Sequence, residues 1–502
     1  MNRPARSRHL PLSLSWSFVL AACAVGPDAP PPTFELPAAT APAPAMLAHW
    51  WREFGDDRLV ALIERAFAAN QDLRAAAANV DAAAAAARAA DDLLPLIDAR
   101  LGAGRSQTSD RSAFPRFPIV DRRNFTHSVG LDLTYEVDLW GRIRAGERAV
   151  LAELAADQQA MAAVRASLAA QVAATYCRVI VAEQRLQLLQ RTVQNRQDAL
   201  AVVTARRGGG TNTALQVHQA EAELADVAVL LPRAAEAVLA GERALLQLVG
   251  ATPRELAAAT VERAAVLPTP PAVPAELPSD LLQRRPDVRA AEARLAASAA
   301  RVSEARAHYF PTIRLTGSVG QESKALHDLF VSPSTVWNLA AGLTQPLFGL
   351  RKIDAAVDGA EARRLGAEAT YAATVQTAFR EVLDALGALA ASRATAVAQQ
   401  HRRTALAAAE RAAAARHAAG AGNYLDLLDA RRGLLAAEHA RLDVELDLLL
   451  GTIDVCHTMG GGFDAAVAPR ATAVQPRSGM QSGSASVVTS QVSSANGAPS
   501  TR

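Results

Sequence analysis

The chain lacks most of the features that mark an enzyme or a nucleic-acid-binding protein. Its 502 residues carry 52 Lys plus Arg against 50 Asp plus Glu, so a net charge of +2 gives no bulk attraction to nucleic acid. The 10 His are scattered without metal-ligand spacing, and no glycine-rich phosphate loop joins a strand to a helix. We therefore expect no catalytic activity, no cofactor, no metal site and no nucleic-acid partner.

Long apolar runs are also absent beyond the N-terminus. After the run from Leu10 to Leu20, no stretch reaches the ~18 apolar residues of a membrane helix. If the protein crosses a membrane, we expect it to do so with strands.

The N-terminus has the pattern of an export signal. Three arginines precede the apolar run, which predicts a signal peptide over residues 1–22. Leu20-Ala21-Ala22-Cys23 resembles a bacterial lipobox, which predicts a covalent lipid on Cys23; a plain signal peptide with an incidental cysteine is the alternative. Ala24 replaces the Asp that favours inner-membrane retention, so we expect an outer-membrane location, with an anchor and not a span.

Only two other cysteines exist, Cys177 and Cys456, and both lie in helical pattern. An exported protein can form a disulfide. We instead expect two small buried apolar side chains.

One stretch dominates the chain, from Ala145 to Arg207. It has no proline, and its only glycine is Gly146. Apolar residues recur at heptad spacing, with Arg196 as the one polar break, which predicts a helix in a left-handed supercoil. At 1.5 Å per residue this helix would be roughly 95 Å long.

The segment before it, Phe125–Asp138, alternates strictly between apolar and polar residues. Period two predicts a strand, and its length suits a transmembrane barrel strand. An amphipathic strand on a soluble core is the alternative.

The same order of elements occurs twice. Leu94-Pro95, Leu139-Trp140-Gly141 and Val249-Gly250 match Phe310-Pro311, Leu347-Phe348-Gly349 and Met459-Gly460 at offsets of 208 to 216. The offset predicts a tandem repeat of helix, strand, strand, long helix, turn and helix. Pro232 has Leu442 as its counterpart, so we expect a kink there and not a break.

These boundaries predict six segments. They are a signal peptide at 1–22, a lipid-anchored Pro/Ala-rich tether at 23–49, a first repeat at 50–250, a non-periodic linker at 251–278, a second repeat at 279–463 and a disordered tail at 464–502.

Four strands cannot close a barrel, because the smallest membrane barrels have about eight and open edges cannot face lipid. We therefore expect a homotrimer whose 12-stranded outer-membrane β-barrel is continued by a long periplasmic α-helical coiled-coil barrel. In each repeat the strands lie at one end and the glycine-rich turns at the other.

Several motifs resemble the TolC family of outer membrane factors, in its lipoprotein (NodT-like) branch. They include Phe54-Gly55-Asp56, Tyr135-Glu136-Val137-Asp138-Leu139-Trp140-Gly141-Arg142, Phe310-Pro311 and Tyr424-Leu425-Asp426-Leu427-Leu428-Asp429-Ala430. The resemblance spans about Trp50 to Gly461. It implies a passive exit duct of a tripartite efflux system, joined through a periplasmic adaptor to a proton-driven inner-membrane pump.

The resemblance also implies a gate at the end of the duct. The matching positions are Asp426 and Asp429, with Gln216 and Gln219 in the first repeat; ordinary solvated helix-start residues are the alternative. The turns are predicted adaptor contacts, although turn chemistry alone explains their composition. Those residues are Gly208, Gly209, Gly210, Thr211, Gly420, Gly422 and Asn423. Gly422 stands where some relatives have an arginine that bonds the first hairpin; Arg416 or Arg431 are candidate substitutes.

Two other functions stay open from the sequence. One is an outer-membrane duct for type I protein secretion, and the other is a periplasmic coiled-coil scaffold lipoprotein without a pore.

Overall fold

The computed structural model describes residues 45–91, 94–107, 109, 123–210, 212–272 and 284–461. Cys23, the signal peptide, most of the tether and the tail at 464–502 lie outside these residues. A 3₁₀ segment, Ala45–Phe54, opens the described chain. The elements that follow are α1 (Asp57–Ala69), α2 (Gln71–Ala90), β1 (Leu96–Gln107), β2 (Arg123–Val137), α3 (Arg142–Gly208), α4 (Ala214–Ala228), α5 (Leu231–Leu248), α6 (Pro253–Ala258), α7 (Pro286–Ala307), β3 (Thr312–Ser323), β4 (Thr335–Thr344), α8 (Leu350–Ala418) and α9 (Tyr424–Thr458).

The four strands form one antiparallel sheet in the order β1-β2-β3-β4. Each repeat contributes a hairpin, and β2 pairs with β3 to join the two hairpins. The predicted strand at 125–138 corresponds to β2, and β1 begins directly after Pro95.

Two very long helices follow the hairpins. Helix α3 has 67 residues and α8 has 69, which at 1.5 Å per residue is roughly 100 Å each. Each begins after a glycine with positive φ, Gly141 (74°) and Gly349 (78°), at the predicted matching positions. No helix among the described residues is both long and apolar enough for a membrane span.

Shorter helices line the two long helices. Helices α2, α4 and α5 pack along α3, and α9 packs mainly along α8, whereas α7 packs against both long helices. The largest core lies where α1, α3, α5, α8 and α9 meet, around Trp50, Tyr176 and Ile453.

Cys177 and Cys456 are both buried in this core and free, as expected. Burial raises the pKa of each thiol to about 12, so both are neutral and unreactive near pH 7.

The backbone at Pro232 agrees with the expected kink. Val229 and Leu230, which lie between α4 and α5, both keep right-handed helical backbone angles, and the Leu230 N–H donates to the Val227 carbonyl oxygen in one shorter turn. One expectation about regularity is wrong: the linker, predicted to be non-periodic, begins with α6, which Thr252 and Glu255 start with a reciprocal capping box.

The linker is docked on the repeats. Arg263 donates to Glu183 on α3 (2.5 Å) and to Glu242 on α5, and Val261 is buried in the core. Tyr176 on α3 accepts a hydrogen bond from the Ala264 N–H (3.0 Å) and donates one to Asp56 (2.6 Å).

Candidate functional site

The sheet separates apolar from polar side chains across all four strands. Because successive side chains alternate and the register aligns the strands, apolar side chains collect on one face and polar ones on the other, except at the loop end, where Arg105 and Arg123 lie on the apolar face. The apolar face carries, among others, Ile97, Leu101, Val129, Leu131, Leu133, Ile313, Leu315, Val319, Trp337, Leu339 and Leu343. Leu101, Trp337 and Leu339 are at least 75% exposed, so within one chain nothing described covers this face.

The opposite face is polar and charged. Asp98, Arg100, Asp132, Glu136 and Arg314 lie on it, and Arg100 pairs with Asp132 across the strands at 3.5 Å. Small residues accompany them, including Gly130 opposite Gly320, where an added Cβ would clash with the neighbouring strand. This face resembles the wall of a water-filled passage.

Aromatic rings flank the apolar face at both ends. Phe125 and Trp337 lie near the hairpin loops, and Tyr135 lies near the helices. At the helix end Trp140 stacks on Phe310 with ring centroids 4.8 Å apart, and its indole N–H donates to the Pro311 carbonyl oxygen (2.8 Å). Paired aromatic girdles around an apolar band are typical of membrane barrels.

The first helical turn, between α3 and α4, is built by glycines and a capping box. Gly208 ends α3, Gly209 caps it and Gly210 has φ 76°. Thr211 lies outside the described residues. The Gln216 side chain accepts from the Thr213 N–H at 2.9 Å, so it completes the capping box of α4.

The second turn, between α8 and α9, is similar. Gly420 has φ 76°, and the Asn423 side chain accepts from the Leu425 N–H (3.1 Å). A Cβ at Gly422 would lie 3.0 Å from Arg416 Cβ and from the His417 nitrogen, so a larger residue there would be tightly packed against the end of α8.

The predicted gate residues differ in exposure. Asp426 and Asp429 are both exposed and lie three residues apart, on one side of α9. Gln219 is half-buried, and Gln216 is occupied by its cap.

A small apolar cluster, which we name the tip cluster, joins the two hairpins behind these turns. Val203 on α3 and Val217 on α4 meet Tyr424, Leu427 and Leu428 on α9. Burial raises the pKa of Tyr424, so it stays neutral near pH 7.

Two buried charges of the first hairpin lie next to the tip cluster, and an exposed arginine of the second hairpin pairs with one of them. Arg196 and Glu223 are 7% and 3% exposed, and their Nε and Oε2 atoms lie 3.9 Å apart. Arg432 on α9 also pairs with Glu223. The Arg432 Nη2 atom lies 3.8 Å from Oδ2 of a second carboxylate, Asp226. Desolvation lowers the pKa of Arg196, an effect that nearby Arg431 reinforces.

Arg432 therefore makes an ion pair between the hairpins near the tip, which the sequence did not indicate; Arg185 on α3 and Asp443 on α9 make another, farther from the turns. Arg431 instead pairs with Glu410 on α8, within its own hairpin, at 3.5 Å. One signal was available: Glu223 interrupts the buried stripe of Val217, Ala220 and Val227, as Arg196 interrupts the stripe of α3.

Among the described ranges, no group of three or more His, Cys, Asp or Glu is placed to hold a metal.

Comparison with known proteins identifies the family. The model of the family described as outer membrane efflux protein matches residues 62–251 and 277–460. The solvent efflux pump outer membrane protein SrpC of Pseudomonas putida is 33% identical over 82% of this chain and 86% of its own length. The outer membrane protein OprJ of Pseudomonas aeruginosa is 32% identical over the same shares. The CmeC outer membrane channel of Campylobacter jejuni superposes with a TM-score of 0.79 at 25% identity, covering 86% of this chain and 95% of CmeC.

The fold class, the function in outer-membrane efflux and the outer-membrane location predicted from the sequence are confirmed by these matches. The family model matches both halves of the chain, and relatives above 30% identity cover most of it. The chain belongs to the outer membrane efflux protein family.

Proposed function

We propose that three copies of this chain form the outer-membrane exit duct of a tripartite efflux system. One observation carries the proposal: the strand register collects the apolar side chains on one face of the sheet and most of the charged ones on the other. The apolar face would contact lipid, and the polar face would line the passage.

The number of chains follows from the two open edges of the sheet. Strands β1 and β4 are the edges, and their unpaired N–H and C=O groups cannot face hydrocarbon. Pairing β1 of one chain with β4 of the next closes the sheet. Two chains would give about eight strands, whose interior side chains fill the barrel, whereas three give twelve and leave a lumen.

Below the barrel, α3 and α8 of the three chains would form the wall of the duct. Asp426 and Asp429 would ring its narrow end, excluding anions and favouring cations. Their exposure on one side of α9 supports this role.

The turns at the same end would contact a periplasmic adaptor that is attached to a proton-driven pump in the inner membrane. These turns are Gly208–Gly210 with Thr211, and Gly420, Gly422 and Asn423. The name of the relative SrpC, a solvent efflux pump outer membrane protein, supports small organic molecules as the cargo.

A lipid on Cys23 would anchor each chain in the outer membrane. Trp50 is 1% exposed in the main core, where it holds the end of the tether. The 21 residues between Cys23 and Ala45, where the 3₁₀ segment begins, would reach roughly 65 Å when extended, against roughly 30 Å for the length of α2. The tether is therefore long enough to run from the core to the membrane.

Two adjacent residues of β2 test the assignment of the faces. Leu133 lies on the apolar face and Thr134 on the polar face. The cost of a lipid-facing lysine rises from about 0–1 kcal/mol near the interface to about 2–4 kcal/mol at the bilayer midplane. Leu133 lies two residues inside Tyr135, so we expect Leu133→Lys to impair assembly in the outer membrane. Thr134→Lys should assemble normally and shift the channel toward anions in planar bilayers.

The mass of the detergent-solubilised particle is measured on the same samples by light scattering. Equal assembly of the two variants, or a particle of one or two chains, would reject the proposal. A strain that lacks this protein should lose efflux. Thr134→Lys should restore efflux in that strain and Leu133→Lys should not, which would connect the duct to transport.

A further inference from the structure

Positive charge is confined to one end of the apolar face. Among the strand residues that the structure describes, Arg105 and Arg123 are the only Asp, Glu, Lys or Arg on this face. They lie on neighbouring cross-strand pairs, Arg105 with Phe125 and Gln107 with Arg123. All four side chains are exposed.

Both arginines are oriented by their neighbours. The Arg105 guanidinium lies over the Phe125 ring, 4.8 Å from its centroid. The Arg123 Nε donates to Gln107 Oε1 at 3.3 Å. A guanidinium on an aromatic face keeps its N–H edge available to an anion.

The position of this pair along the strand places it at a membrane surface. Arg105 follows Leu101 by four residues, which is about 13 Å along an extended strand. The pair lies at the loop end of the sheet, opposite the end that continues into α3 and α8. In the duct orientation, on which this inference rests, that end faces the outer leaflet.

The loop between β1 and β2 does not carry an excess of acidic residues. By sequence, residues 108–122 contain Arg111, Arg116 and Arg122 against Asp110 and Asp121. The local charge therefore remains positive.

We propose that Arg105 and Arg123, with Phe125, bind a phosphate of the phosphorylated glycolipid of the outer leaflet. Diagonal positions on neighbouring strands are about 7–8 Å apart, so two guanidinium groups can reach one phosphate group. Arginine binds phosphate through two parallel N–H donors. Phe125 and the apolar band below it contact the acyl chains of the same molecule.

The test uses the full-length trimer in detergent, with lipid A as the probe. Binding is measured as the rise in unfolding temperature and by native mass spectrometry. Three matched compounds are compared: bisphosphorylated lipid A, the same acylated disaccharide without phosphate, and inorganic phosphate. The test variant is Arg105→Gln with Arg123→Gln, and the control is Arg100→Gln with Arg314→Gln on the polar face.

We expect the test variant to bind lipid A at least tenfold more weakly, while the control binds like the wild type. Removal of both phosphates from lipid A should weaken its binding to the wild-type protein by the same factor. Arg105→Lys with Arg123→Lys should recover only part of the affinity, because lysine keeps the charge and loses the paired N–H donors; this partial recovery separates lost charge from misfolding. Equal affinity of the test and control variants, equal binding of the phosphate-free compound, or equal binding of inorganic phosphate would overturn the proposal.

Particle mass and single-channel conductance on the same preparations test the duct itself. A conducting trimer without phosphate-dependent lipid binding rejects only the lipid site. A particle without conductance rejects the duct orientation.

Discussion

The Asn70 side-chain amide donates a hydrogen bond to the Leu248 carbonyl oxygen at 2.9 Å, joining the start of α2 to the end of α5. The second repeat makes the same join with different chemistry: Arg285 Nη1 donates to the Thr458 carbonyl oxygen at 3.2 Å. Leu248 and Thr458 are 210 residues apart, the offset of the helical hairpins. The duplicated fold therefore keeps the position of the junction and not its residue type.

Loss of the Asn70 side chain should destabilise the first repeat. Asn70 also caps α2 by accepting from the Leu73 N–H at 3.0 Å, and it is 5% exposed. We expect Asn70→Ala to lower stability by about 1–3 kcal/mol, since it removes a cap and leaves a buried carbonyl unpaired. Thermal unfolding in detergent measures the change. Gln71→Ala, at the next and exposed position, should have little effect, and equal effects would contradict this role.

Gly250 completes the same junction and should not tolerate a side chain. Its φ is 69°, and a Cβ there would overlap the Ala69 carbonyl group. We expect Gly250→Ala to destabilise the protein by more than 1 kcal/mol. Gly359 in α8 has nothing within 4 Å of an added Cβ, so Gly359→Ala should instead stabilise by about 1 kcal/mol. Melting temperatures that fail to move in opposite directions would refute the argument.

Local patterns predicted most of the fold, and long-range contacts explain what was missed. Strand β2 follows the alternating segment from Phe125 to Val137, and Gly141 and Gly349, matched in the repeat, stand directly before α3 and α8. Helix α6 is six residues long, too short for periodicity, and only its Thr252–Glu255 capping pattern was readable. The Arg432–Glu223 pair spans 209 positions, so its existence depends on how the hairpins pack.

Breaking the Arg432–Glu223 ion pair should loosen the end of the duct. It joins the two hairpins, whereas Arg431–Glu410 lies within one hairpin. We expect Arg432→Ala to raise mean single-channel conductance, because the hairpins then separate more easily. Arg431→Ala, the adjacent change, should leave conductance near the wild-type value. Equal conductance of the two variants would show that the cross-hairpin pair does not restrain the tip.

Asp426 is expected to set both the conductance and the ion preference of the duct. Three copies of its carboxylate near the axis would attract cations and narrow the passage. We predict that Asp426→Ala raises single-channel conductance and lowers cation selectivity, as measured by the reversal potential in a salt gradient. Asp447→Ala is the control, because Asp447 is exposed on the same helix three heptads away. Unchanged conductance and selectivity in Asp426→Ala would remove this residue from the gate.

Mild acid should destabilise the main core through His457. Burial lowers the pKa of His457, and the positive charge of Arg285 lowers it further; the Ser167 hydroxyl lies 3.2 Å from its Nε2. The folded state therefore binds fewer protons than the unfolded state, whose histidine has a pKa near 6.5. Stability from the neutral ring is present above pH 6.5 and is lost as the pH falls below it.

We expect the melting temperature to drop between pH 7.5 and pH 5.5, and His457→Gln to reduce that drop. Burial also lowers the pKa of His439, so His439→Gln is measured in parallel, and the double variant should be the least sensitive. A drop of equal size in all four proteins would assign the acid sensitivity to other groups.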